Sequence, residues 1–256
     1  IKPLIIVGSG VIYAGCIDEL KRFIEKTHIP IATTFTARGI ISEHDEMNLG
    51  LTGSRGTKQA NYAASHADLI LAFGCRLSDR TLKHVTTKNI IQINTNTEHN
   101  HANKFYNYNI KEFLEKINAK DLPEKDSKWL HRIKSQGEYP PNEIIETEGL
   151  HPEEVINTIL SKQDENITYI FDAGQSPTYF TTNSKAQKSG QLLFSGGFGP
   201  MGYALPASIG ASFATDPNHF LAQPGKPFPT VTVKMNGKTA TVLPTYDNYS
   251  NLYVVA

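Results

Sequence analysis

Short apolar runs separated by helical patterns recur through the first 118 residues, and this alternation restricts the fold more than any other feature of the chain. Residues 4–7, 29–33, 69–73 and 90–94 read as strands, each apolar and too short for a core helix. Between the first two, residues 16–26 place Ile17, Leu20, Phe23 and Ile24 on one face of an amphipathic helix. Strands that alternate with helices argue for a parallel sheet with right-handed crossovers. Gly8, Ser9 and Gly10 follow the first strand, but the next glycine is Gly15 and no acidic residue closes the next strand. The turn therefore lacks the Gly-x-Gly-x-x-Gly spacing of a dinucleotide site.

At 256 residues the chain has room for about two domains. Its 25 Lys and Arg balance 25 Asp and Glu, which leaves no electrostatic footprint for nucleic acid or an anionic membrane. No apolar stretch is long enough to span a bilayer, and a secretory leader is not expected. Cys16 and Cys75 are too few for a disulfide framework, and as free thiols they fit an intracellular, cytoplasmic setting. His99 and His101 lie in a polar run without Cys or carboxylates at ligand spacing, so both are expected to face solvent.

Residues 119–147 read as a helical linker: charged, containing Pro123, with Trp129, Leu130 and Ile133 on one helix capped by Asp126 or Ser127, and ended by Pro140 and Pro141. Pro152, Glu153 and Glu154 then suit the first turn of a helix that opens a second domain over 148–221. An apolar strand at Ile167, Tyr169, Ile170 and Phe171 runs into Asp172, Ala173, Gly174, Gln175 and Ser176. Further on, residues 196–211 carry Gly196, Gly197, Gly199 and Gly202, then Ala204, Ala207, Ser208, Gly210 and Ala211. Glycine admits positive φ and close approach of a ligand to backbone. The small residues give a nearly flat helix face, expected to be buried. Taken alone, the glycines equally fit a helix-packing corner, and residues 172–175 an ordinary turn after a strand.

Read whole, residues 171–176 and 196–211 resemble the thiamine-diphosphate enzymes of the acetolactate synthase group. The wording of the first half is similar to the same family's central domain at residues 2–10, 34–39, 49–53, 67–76 and 78–80. The resemblance implies a Rossmann-like, six-stranded α/β central domain over 1–118, followed by the start of a thiamine-diphosphate-binding lobe. It implies that Gly174 and Gln175 meet the cofactor diphosphate and that Gly199 and Met201 meet its aminopyrimidine ring. Ser176 and Gly202 complete that cofactor-binding set, and no catalytic or metal residue is assigned. By the same resemblance the whole enzyme decarboxylates pyruvate and joins the product to a second small 2-oxo acid, as a homo-oligomer. Some family members hold FAD against the central-domain turns. Here Asn94 and Asn96 stand where acidic residues are usual, which removes charge from a ribose contact, so FAD is admitted only as a secondary cofactor. Arg38, Arg76 and Arg80 are expected in surface or inter-subunit pairs.

The likeness stops near residue 218. Mg²⁺ bridging a diphosphate needs hard oxygen ligands, which the family takes from a Gly-Asp-Gly segment that does not occur after residue 211. The family's catalytic Glu belongs to a domain ahead of Ile1, and the chain, opening without Met, is expected to be a piece that is inactive alone. Residues 222–256 are expected to form a β-rich tail after Pro224, Pro227 and Pro229. In it, Asn236 and Gly237 make a two-residue hairpin that sets Val233 opposite Ala240 and Val231 opposite Val242, and residues 246–255 offer a further strand. Two readings follow: a fragment or degenerate form of a thiamine-diphosphate-dependent 2-oxo-acid carboligase, or a non-catalytic enzyme-derived scaffold with a fused β module.

Overall fold

Every residue of β1 (Pro3–Val7) is buried, because the strand lies inside a parallel sheet covered on both faces. With β2 (Ile31–Thr33), β3 (Asn48–Leu51), β4 (Leu69–Phe73), β5 (Ile90–Asn94) and β6 (Lys104–Asn107) it forms one six-stranded sheet in the order β3-β2-β1-β4-β5-β6. All five pairings are parallel. The expected strand at 29–33 begins two residues late; Pro30 has no N–H to give a ladder. The computed structural model describes residues 1–124, 127–137, 152–161, 167–215, 231–235 and 238–242.

The crossovers carry α1 (Gly10–Tyr13), α2 (Ile17–Thr27), α3 (Lys58–His66) and α4 (Asp79–Leu82), and β6 leads into α5 (Ile110–Asn118) and α6 (Ser127–Lys134). Strand alternation splits the core in two. Ile5, Val7, Phe73 and Ile93 meet Leu20, Phe23 and Leu114 on one side. Leu4, Ile6, Ile70 and Ala72 meet Ala60, Ala63 and Ala64 on the other. The segment read as a linker contributes to that second core: Trp129 and Ile133 of α6 are buried in it, and the Trp129 indole N–H donates to the carbonyl of Pro3 at 3.0 Å.

Cys16 and Cys75 are free and buried. Burial pushes the Cys75 thiol up to about 12 and the Cys16 thiol up to about 11, from 9.0 for an ordinary thiol. Both thiols stay protonated in the folded chain where the unfolded chain would ionise. The stability they lend is thus full below pH 9.0 and is lost as pH rises through about 11 and about 12. Iodoacetamide at pH 9 is expected to label neither thiol in the native chain and both in denaturant; native labelling would place a thiol at the surface.

The second lobe comprises α7 (Pro152–Leu160), β7 (Tyr169–Phe171), α8 (Ser176–Asn183), β8 (Leu192–Phe194) and α9 (Ala204–Thr215). β7 and β8 pair in parallel. Ile156, Phe180, Ala186 and Leu192 are buried between them and the helices, and Phe171 stacks on Phe194 with ring centroids 5.0 Å apart. The first lobe reaches this core directly, since Phe35 packs against Phe194 at 4.2 Å. β9 (Val231–Met235) and β10 (Lys238–Val242) pair antiparallel with Val233 opposite Ala240 and Val231 opposite Val242, the expected register. The strand offered at 246–255, the prolines at 140, 141, 224, 227 and 229, Asp126 and the 236–237 turn lie outside the described residues. Among the described residues no helix is long and apolar enough to cross a membrane.

Candidate functional site

The parallel register ends with Phe171 beside Phe194, so the chain leaves β7 and β8 at the same edge. Residues 172–176 and 195–202 are thereby brought side by side. Asp172 fastens them: one carboxylate oxygen accepts the N–H groups of Tyr203 at 2.6 Å and Ala204 at 3.2 Å. These belong to the start of α9, where N–H groups lack helical partners and a carboxylate suits the dipole. Sequence reasoning passed over this role of Asp172; the available signal was a carboxylate placed directly at a strand end.

Gly174 takes φ +143, a conformation that side chains rarely adopt. Gln175 precedes the first residue of α8, Ser176, and Pro177 fills an early position where the missing N–H costs nothing. Gly174, Gln175 and Ser176 are all exposed. The first turn of α8 thus presents donor groups and the positive end of a helix dipole to the shared edge. On the facing loop, Gly199 and Gly202 take φ +59 and +85, and a Cβ on Gly174, Gly197 or Gly202 would meet nothing within 4 Å. Phe198 and Met201 are 102% and 89% exposed. All six residues expected at a cofactor therefore lie on the two loops of this one edge or, for Ser176, at the first position of α8.

Other expectations divide. Along α9, Ala204 and Ser208 are buried, but Gly210 is exposed on the far side, so the small-residue face is narrower than expected. Arg76 and Arg80 are exposed, whereas Arg38 is buried within this chain, with its guanidinium on Glu43, and is not a surface residue. His101 is exposed and His99 half-buried. Among the described residues no three His, Cys, Asp or Glu side chains come together as a metal site. At the first lobe's switch point, Gly8 and Gly10 donate to the carbonyls of Phe73 and Gly74 at 2.9 and 3.0 Å. These glycines serve strand-to-strand packing. Asn94 donates to the carbonyl of Cys75 at 3.0 Å and accepts from the Asn96 N–H at 3.1 Å. Asn96 in turn accepts from the Glu98 N–H at 2.9 Å. Both side chains thus shape the turn through these bonds.

A doubly wound parallel sheet joined to a second lobe with a glycine-lined strand edge defines a class of α/β proteins that take ligands at strand carboxyl ends. Residues 1–117 match the thiamine pyrophosphate enzyme central domain, and residues 172–228 match the thiamine pyrophosphate enzyme C-terminal TPP binding domain. The chain belongs to the thiamine pyrophosphate enzymes. It is similar to the probable acetolactate synthase large subunit of Methanocaldococcus jannaschii, 31% identical over 233 residues, covering 83% of this chain and 39% of that protein. The acetolactate synthase large subunit of Cyanidium caldarium is 31% identical over 237 residues, covering 86% of this chain and 40% of that one. The chloroplastic acetolactate synthase of Arabidopsis thaliana is 32% identical over 228 residues, covering 83% and 34%. The chain spans between 34% and 40% of the length of these curated relatives.

Proposed function

We propose that the edge formed by residues 172–176 and 196–202 holds thiamine diphosphate, and that the complete protein is a carboligase of small 2-oxo acids. The observation that carries this reading is the tether from Asp172, which sets the exposed start of α8 beside the glycine loop. The donors there, backbone N–H groups, the Gln175 amide and the Ser176 hydroxyl, suit a diphosphate. Gly174 leaves its backbone uncovered to an approaching oxygen, and Met201 offers an apolar surface to a flat ring, with Gly199 and Gly202 turning the loop toward it. No residue is assigned to Mg²⁺. When bound, the cofactor supplies a nucleophilic carbon and an electron sink for a decarboxylating 2-oxo acid. Leu205 and Ile209, one turn apart on α9 and 40% and 41% exposed, support assembly with a second copy. The two buried free thiols support a cytoplasmic setting.

Titration calorimetry of the chain with thiamine diphosphate, with and without Mg²⁺, tests the site. Saturable heat is expected, with inorganic pyrophosphate competing. In Gly174→Val the affinity should fall by about tenfold or more, since 1.4 kcal/mol of lost contact suffices. The absence of heat from the unaltered chain at millimolar cofactor would count against the site.

A further inference from the structure

We propose that Arg38, a residue of the first lobe, is a positioning residue for α8 and so for the anion-facing N–H groups at the opposite end of that helix. This rests on the reading of the site given above. The side chain is 2% exposed, beside a Glu43 side chain that is 3% exposed. Its Nε donates to Glu43 Oε1 at 2.7 Å, and Nη2 donates to Glu43 Oε2. Two further donors cross to the second lobe, Nη1 to the carbonyl of Thr181 at 3.0 Å and Nη2 to the carbonyl of Ser184 at 2.6 Å. Thr181 lies in the last turn of α8 and Ser184 is its C-cap. Carbonyls there have no helical partner, and a cation at that end complements the dipole.

Glu43 completes the clamp on the chain just beyond the helix. Its Oε2 accepts the Ala186 N–H at 2.9 Å, and its own N–H donates to the Ala186 carbonyl at 2.8 Å. Near the other end of α8, Arg55 donates to the Thr178 hydroxyl. Gly39, at φ +78, brings the first lobe so close that a Cβ would lie 2.2 Å from the Lys188 carbonyl oxygen. A helix of eight residues is only about 12 Å long, so a clamp at one end fixes where the other end points. Buried ion pairs are weak contributors to stability compared with apolar replacements, and their best-attested value lies in fixing geometry.

The test compares the chain with R38K and with the double variant R38M/E43L, which removes both buried charges together and keeps the fold where R38M alone leaves Glu43 unpaired. Three quantities are read: melting temperature, amide exchange over 176–183 without cofactor, and titration with thiamine diphosphate plus Mg²⁺ and with inorganic pyrophosphate. In R38M/E43L the melting temperature and the exchange of β1 and β4 should hold, while α8 exchanges faster and both ligands bind about tenfold more weakly, as when outer partners of a binding group are removed. R38K, which keeps the charge and loses the fork, should recover part of the affinity. Unchanged α8 exchange, or unchanged affinity in R38M/E43L, overturns the proposal. If the unaltered chain binds neither ligand, the site reading falls, and the role of Arg38 toward an anion falls with it; faster α8 exchange would then leave only a helix clamp.

Discussion

Glu43→Ala is expected to destabilise the chain by roughly 3–5 kcal/mol, measured by urea denaturation, because it removes the buried carboxylate that faces the buried Arg38 guanidinium. Two peptide carbonyls, those of Thr181 and Ser184, stay within its reach, but dipoles do not replace a full negative charge at a buried site. The Ala186 N–H loses its carboxylate acceptor at the same time. Adding Arg38→Met to this background should recover most of the loss, since it removes the buried cation whose carboxylate is gone. The sign of that recovery is the diagnostic: if the double variant is no more stable than Glu43→Ala, lost hydrogen bonds and not the buried charge dominate. Salt should change the result little, because the pair is buried and poorly screened.

Gly8→Ala should be comparably damaging, at about 3 kcal/mol, the upper range for overpacking. The new methyl would sit 2.4 Å from the Gly74 carbonyl oxygen and 2.5 Å from Cys75 Cα. Neither neighbour is the end of a flexible side chain; both are backbone at the end of β4, already held by the bond from the Gly8 N–H to the Phe73 carbonyl. Relief requires β1 and β4 to part at the centre of the sheet. Gly15→Ala is the matched control, since at φ +61 its Cβ meets nothing within 4 Å and only conformational strain of about 1–2 kcal/mol remains. Thermal melting of the two variants separates the effects. A loss in Gly8→Ala no larger than that in Gly15→Ala would mean that the switch point largely relaxes around the methyl.

The parts of this fold that were legible are those whose signal is local. β1, β4 and β5 declare themselves because strands covered on both faces are apolar throughout, and α2 because Leu20, Phe23 and Ile24 share one face. β6 escaped notice for the opposite reason. Its residues Lys104, Tyr106 and Asn107 are exposed at the edge of the sheet, where polar side chains guard against stray pairing, and nothing apolar announces a strand. β8 is only three residues long, too short for periodicity to speak. At the candidate site, the glycines and Gln175 could be read from their spacing and likeness, but Asp172 acts on backbone 31 and 32 residues away. Arg38 is harder still, with carbonyl partners 143 and 146 residues distant. A peptide carbonyl carries no side-chain identity, so no pattern of residue types could have disclosed them.

The docking of α6 has an optical consequence. Trp129 is the single tryptophan of the chain, and its indole is buried beneath the helix with its N–H on Pro3 and the Lys2 ammonium 5.8 Å from the ring centroid. Its fluorescence therefore reports one event, the seating of α6 against the start of β1, and is silent on the second lobe, whose core rings are phenylalanine and tyrosine. Emission consequently follows the first lobe alone whereas far-ultraviolet ellipticity sums the helices and strands of both, and the gap between their transitions measures how independently the two lobes come apart.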